Sequence, residues 1–251
     1  MIRLKNLSAL LLAVTFSCLS YVSVAQFSGG ARAGVNLANL RGSSVVNKSM
    51  LIGYNVGGFI NYGLADLVSG DIGEMLSVQA ELSVQTKGTK ADFVFYEINS
   101  ENIVDIDTLK GVPQNFSYFQ VPVVAKATFG EPKGIKYFGE LGFFLASLTG
   151  VTIDGQKSRN NDGDSSTDKR KFREEYAGFD YGMVIGAGAS IPCGGRKSPW
   201  SAFGSIRYSM GFANIGEYKE KTVDIPVTQL ADIKTSTISI LFGVAYKFSL
   251  D

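Results

Sequence analysis

Eight charged residues, Arg32, Glu81, Lys126, Lys136, Glu140, Asp180, Arg207 and Lys247, each fall on the polar side of a segment in which polar and apolar residues alternate. Two of the acids, Glu81 and Glu140, are the kind of pair a glycoside hydrolase needs, one as general acid and one as base or nucleophile. The bases that share their parity argue for salt-bridged acids instead. A charge enclosed in a narrow space is costly to desolvate unless opposite signs meet or water reaches it. The eight therefore read either as a charge-selective path or as a structural network, and the second reading is preferred.

Other chemistry has less support. The chain of 251 residues has no histidine, so the usual activation of a serine or cysteine nucleophile is missing. Neither a GxSxG elbow, a Cys/His metal cluster nor a GxxxxGK[ST] phosphate loop occurs. The GAGAS run at 186–190 is a weak glycine motif, better explained by close packing. Asp162, Asp164 and Asp168 are spaced almost like a calcium loop but lack the closing glutamate and central glycine. The basic run Lys169, Arg170, Lys171 and Arg173 beside them is a candidate surface contact, with lipopolysaccharide phosphates as the anion. No metal or cofactor is expected, and the expectation is a protein that is not an enzyme.

The elements that must position these residues are strands. In 76–87, Leu76, Val78, Ala80, Leu82 and Val84 fall on one face, against Ser77, Gln79, Glu81, Ser83, Gln85 and Lys87 on the other. Only a period of two sorts the sets in this way. The same sorting recurs in 27–39, 51–63, 116–129, 135–149, 179–191, 200–212 and 237–248, each long enough for the ~9–11 tilted residues that cross an outer membrane. Short links (64–75, 130–134, 192–199) alternate with longer ones (40–50, 88–115, 150–178, 213–234), as in a barrel with short periplasmic turns and long outer loops.

A soluble lipocalin-like barrel also alternates, so the outward face decides. Here the polar face carries small residues suited to a crowded lumen, among them Gly34, Asn36, Asn55, Gly57, Gly186 and Ser205. The apolar face has aromatics near strand ends, including Tyr62, Phe129, Tyr137, Trp200, Tyr208, Tyr246 and Phe248, as membrane girdles require. The predicted fold is all-β: an eight-stranded antiparallel up-and-down transmembrane barrel. Eight-stranded barrels are normally filled by side chains, which is why a plugged lumen is preferred to a path.

The N-terminus has the layout of a secretory signal, with Arg3 and Lys5, an apolar run and a small-residue approach to Ala25. Residues 1–25 are read as a cleavable signal peptide and 26–251 as the barrel domain. A lipoprotein signal at Cys18 is the weaker alternative. Cys193 is then the sole mature cysteine, a passive turn residue. Cleavage removes two basic residues and no acidic one, and the nearly neutral mature charge gives no reason to expect a nucleic-acid partner.

The stretches GARAGVNLANL, GYNVGGFINYGLAD, LSVQAELSVQTKG, YFQVPVVAKATF, YFGELGFFLASL, DYGMVIGAGASI and ISILFGVAYKF, in that order, resemble the PorT-like family of small outer-membrane barrels. The resemblance covers nearly all of the mature chain and implies an eight-stranded barrel in the bacterial outer membrane. One member of that family is linked to protein secretion, and the family offers no catalytic or binding residue to carry over. One departure is that Phe248 is followed by Ser249, Leu250 and Asp251, where outer-membrane strands commonly end on the aromatic. Expected partners are outer-membrane lipid, the outer-membrane assembly machinery and an envelope protein, with longer loops extracellular and both mature termini periplasmic. The expected role is display of those loops for surface, lipid or partner contact. A small-solute channel through the polar lumen and a soluble periplasmic ligand-binding barrel are the alternatives.

Overall fold

The structure is a computed structural model that describes residues 27–42, 48–98, 104–131, 134–157, 172–194, 198–216 and 232–248. The proposed signal peptide, Asp162, Asp164, Asp168, Lys169, Arg170 and Lys171 all lie outside the described residues. The strands are β1 (Phe27–Arg41), β2 (Lys48–Ser49), β3 (Leu51–Gly63), β4 (Leu76–Ile98), β5 (Val104–Gly130), β6 (Lys136–Ile153), β7 (Phe179–Pro192), β8 (Trp200–Gly211) and β9 (Lys234–Lys247). A five-residue helix α1 (Asp71–Met75) sits in the link before β4, and a 3-10 turn (Phe172–Glu175) precedes β7.

Every long strand pairs antiparallel with its neighbour in the chain, β1 with β9 closes the ring, and the ring holds eight strands. Closure removes the open sheet edges, the condition a membrane imposes on sheet structure. The two-residue β2 adds to the side of β4 through Lys48↔Ala91.

The faces are sorted as the alternation requires. Burial along β6 switches at almost every residue from 138 to 149. Inside are Arg32, Asn36, Gln79, Glu81, Gln85, Gln120, Glu140, Asp180 and Arg207, whereas Val56, Leu82, Phe143, Ile206 and Phe242 are exposed. Leu82 is 57% exposed and Ile206 60%, and Ile206 stands opposite Ile240 on the same outer face. A barrel that is polar within and apolar without is inverted relative to a soluble one, which removes the lipocalin-like alternative. Outward ring pairs gather at the turn end: Phe27 with Tyr62 (5.0 Å), Phe129 with Tyr137 (6.1 Å) and Trp200 with Tyr246 (5.0 Å).

One link differs from expectation. Residues 88–115 read as a loop because Gly88, Gly111 and Pro113 punctuate them, yet β4 and β5 stay paired through Lys90↔Pro113 and on to Ile98↔Val104. A register shift between Ala91 and Phe93 absorbs the irregularity. Gly88 marks a close approach and not a strand end: a Cβ there would lie 1.9 Å from the Gln114 carbonyl oxygen, at a φ of +150°. Beyond this point the chain is rich in β-branched and aromatic residues such as Val94, Phe95, Tyr96 and Ile106, which favour a continued ladder.

Candidate functional site: the barrel lumen

The lumen is built in layers, because inward positions two apart on each strand step along the barrel axis. Midway, β1 contributes Arg32, β4 Glu81, β6 Glu140 and β8 Arg207. Both guanidinium ends of Arg32 meet the Glu81 carboxylate, Nη1 at 2.8 Å from Oε1 and Nη2 against Oε2. Arg207 grips the same carboxylate from the other side, with Nη1 2.8 Å from Oε2 and Nη2 2.9 Å from Oε1. Its Nε donates at 2.7 Å to Glu140 Oε1. Gln79 Nε2 adds another donor to Glu81.

Charge in this layer balances, two cations to two anions, and all four side chains are almost fully buried. Bidentate forks on one carboxylate are the strong form of such a contact. Space for it comes from glycine: a Cβ on Gly186 would stand 2.6 Å from Glu140 Oε1. The neighbouring Gly188 gives room to the Phe138 ring in the same way, so the GAGAS run is packing.

Toward the loop end lies an amide layer. Asn36 Nδ2 and Asn55 Nδ2 each donate to Gln85 Oε1 at 3.1 Å, Gln85 Nε2 donates to Gln120 Oε1, and Ser239 Oγ donates to Asn36 Oδ1 at 2.7 Å. Next comes Asp180, whose Oδ2 accepts from Lys87 Nζ at 3.2 Å and Thr235 Oγ1 at 2.7 Å. Gly211 leaves the room, since its Cβ would fall 2.7 Å from Asp180 Oδ1. The Lys87 ammonium also stands 4.1 Å above the Phe144 ring. Over this layer closes an apolar cap that includes Leu40, Phe116, Phe144, Leu148, Val151, Phe172 and Ile215, all buried.

The eight residues singled out by parity therefore separate. Arg32, Glu81, Glu140 and Arg207 form one network, while Asp180 pairs with Lys87 in another layer. Lys87 lies on the polar face of the 76–87 pattern and joins the lumen charges although it is outside the set of eight. Lys126, Lys136 and Lys247 join neither network. Lys126 Nζ sits 3.8 Å over the Phe138 ring, and Lys136 and Lys247 line the turn-end mouth of the lumen. Arg173, from the basic run, donates its Nε to the Leu148 carbonyl at 3.1 Å, so its guanidinium is tied to the rim of the barrel.

Catalysis by the two glutamates has no opening in this arrangement. Both Glu81 oxygens accept from arginines, and Glu140 is engaged by the same Arg207. Among the described residues no group of three or more metal-ligating side chains gathers.

Comparison with known families decides the identity of the fold. Residues 24–217 match the family described as "Outer membrane protein beta-barrel domain". The chain belongs to this family. The outer-membrane barrel accordingly resides in the outer membrane of a bacterium. Similar solved structures include Ail, the attachment invasion locus protein of Yersinia pestis, in complex with the heparin analogue sucrose octasulfate (12% identity, 88% of this chain and 99% of that one, TM-score 0.39). Others are Neisserial surface protein A (14%, 89% and 97%, TM-score 0.42) and OprG from Pseudomonas aeruginosa (9%, 89% and 95%, TM-score 0.43). The comparison with curated proteins gave no match.

Proposed function

We propose that this outer-membrane barrel is a closed, non-enzymatic scaffold that presents its long connections at the cell surface for contact with lipid or with a partner protein of the envelope. The observation that carries this reading is the filling of the lumen. A ring of buried ion pairs joins β1, β4, β6 and β8 across the interior, and an apolar cap lies over it at the loop end. A solute crossing would have to break buried charge pairs, at a cost of several kcal/mol.

Function on such a fold sits on what the rigid wall displays. Among the described residues the extended β4–β5 hairpin is the longest such element, and its pairing continues to Ile98↔Val104. The strand motifs that resemble the PorT-like family support a place in an envelope or secretion assembly. Insertion by the outer-membrane assembly machinery goes with the same reading, as do extracellular long loops and periplasmic termini. Within the 150–178 link, Lys169, Arg170 and Lys171 are the proposed contact with lipopolysaccharide phosphates.

Planar-bilayer recording tests the closed scaffold. Silence at voltages where porins conduct is the expected result, and discrete reproducible openings from the folded protein would overturn it in favour of a small-solute channel. For the surface contact, charge reversal at Lys169, Arg170 and Lys171 is expected to weaken binding to lipopolysaccharide. Unchanged binding would remove that part of the reading.

A further inference from the structure

The turn-end mouth of the lumen is a cup of about 470 Å³. Its lining includes Lys136, Lys247, Ser28, Asn61, Ser77 and Thr128, with Glu74 of α1 as the one acid among the lining residues. One inward position deeper than Thr128 and outside the lining of the cup, Lys126 lies against the Phe138 and Phe203 rings, which with Phe59 make an aromatic layer of the lumen.

The charges here contrast with those deeper in the barrel. Arg32, Arg207 and Lys87 each have a carboxylate within ion-pair distance, whereas Lys126, Lys136 and Lys247 have none among the described residues. Lys126 stands opposite Glu140 in the ladder, yet Glu140 turns to Arg207. Two ammonium groups on a lining with a single acid, and a third one inward position deeper, give a concave positive potential. The one recorded side-chain hydrogen bond of the Asn61 amide Nδ2, to Ser28 Oγ, is long at 3.5 Å, so this wall of the cup carries a weakly engaged donor.

We infer that the cup is a binding site for a small soluble polyanion bearing carboxylate or phosphate groups. Lys136 and Lys247 hold the anion at the rim, Lys126 contributes its field from the layer beneath, and the Ser28, Ser77 and Thr128 hydroxyls donate to the remaining oxygens. The volume suits a ligand of metabolite size.

The test is isothermal titration calorimetry on the full folded chain in neutral detergent micelles at low salt, with inorganic pyrophosphate in one arm and citrate in the other. Saturable binding of either anion is expected, and the tighter arm assigns the source as phosphate or carboxylate. Lys136→Gln with Lys247→Gln is expected to weaken it about tenfold or more, as loss of charge-assisted contacts should. Lys48→Gln with Lys90→Gln, at the opposite end of the barrel, serves as the control and is expected to bind as the parent does. Heat-modifiable gel mobility confirms that each variant is a folded barrel. No saturable binding in either arm, undiminished binding in the turn-end variant, or equal loss in the control would overturn the inference.

Discussion

Two regions of one lumen treat charge in opposite ways. In the middle layer Arg32, Glu81, Arg207 and Glu140 are sealed from solvent and every charge is matched, while at the turn-end mouth Lys136 and Lys247 have no carboxylate within ion-pair distance among the described residues. Depth explains the difference. A sealed charge must find its opposite, because the desolvation cost is several kcal/mol; a charge at a mouth is solvated and need not. Pairing in the middle layer thus reports structure, whereas the charges at the mouth remain available to a solute.

The contrast makes graded predictions for stability, each readable as the shift in a urea unfolding transition of the barrel in lipid vesicles. Glu81→Ala should have the largest effect, because it strands the buried Arg32 guanidinium and leaves Arg207 with Glu140 alone; about 3–5 kcal/mol of destabilisation is expected. A loss below about 1 kcal/mol would mean that the arginines find water, and the middle layer would no longer differ from the mouth.

Gly186→Val comes next, at about 1–3 kcal/mol, since the new side chain overpacks the space that Glu140 occupies. Lys126→Met keeps the volume and removes a charge that has no carboxylate, so the change should stay within about 1 kcal/mol and be stabilising in sign. Destabilisation there would show that Lys126 belongs with the paired layer. The smallest effect belongs to exposed Lys247: Lys247→Gln should leave stability within about 0.5 kcal/mol.

Much of this was legible in the sequence. Strand parity placed Arg32, Glu81, Glu140, Asp180 and Arg207 inward and Leu82, Ile206 and Val244 outward, because a period of two is a property of the backbone and survives any tertiary arrangement. Parity says nothing of depth, however. Arg207 reaches a glutamate 126 residues away in sequence, and Lys87 an aspartate 93 away. Such partners are chosen by the stagger of strands around the closed ring, which no local pattern encodes. The same limit hid the separation of Lys136 and Lys247 from the network, since their parity is that of Glu140. The extent of β4 and β5 was missed for a different reason: Gly88, Gly111 and Pro113 are turn residues by local statistics, but a bulged ladder accommodates them.

That ladder sets a distance. Among the described residues the wall neighbours of β4 and β5 stop at Ala91 and Gln114, and the pair runs on without them to Ile98 and Val104. At ~3.3 Å per residue the unaccompanied ribbon spans on the order of 25 Å, several times the ~5–8 Å of headgroup that borders each side of a hydrocarbon core. Backbone hydrogen bonds, not side-chain choice, fix how far from the lipid the barrel's outermost described residues stand. Removing residues in opposed pairs would reel that contact radius in by ~3.3 Å per rung without changing which residues face each other.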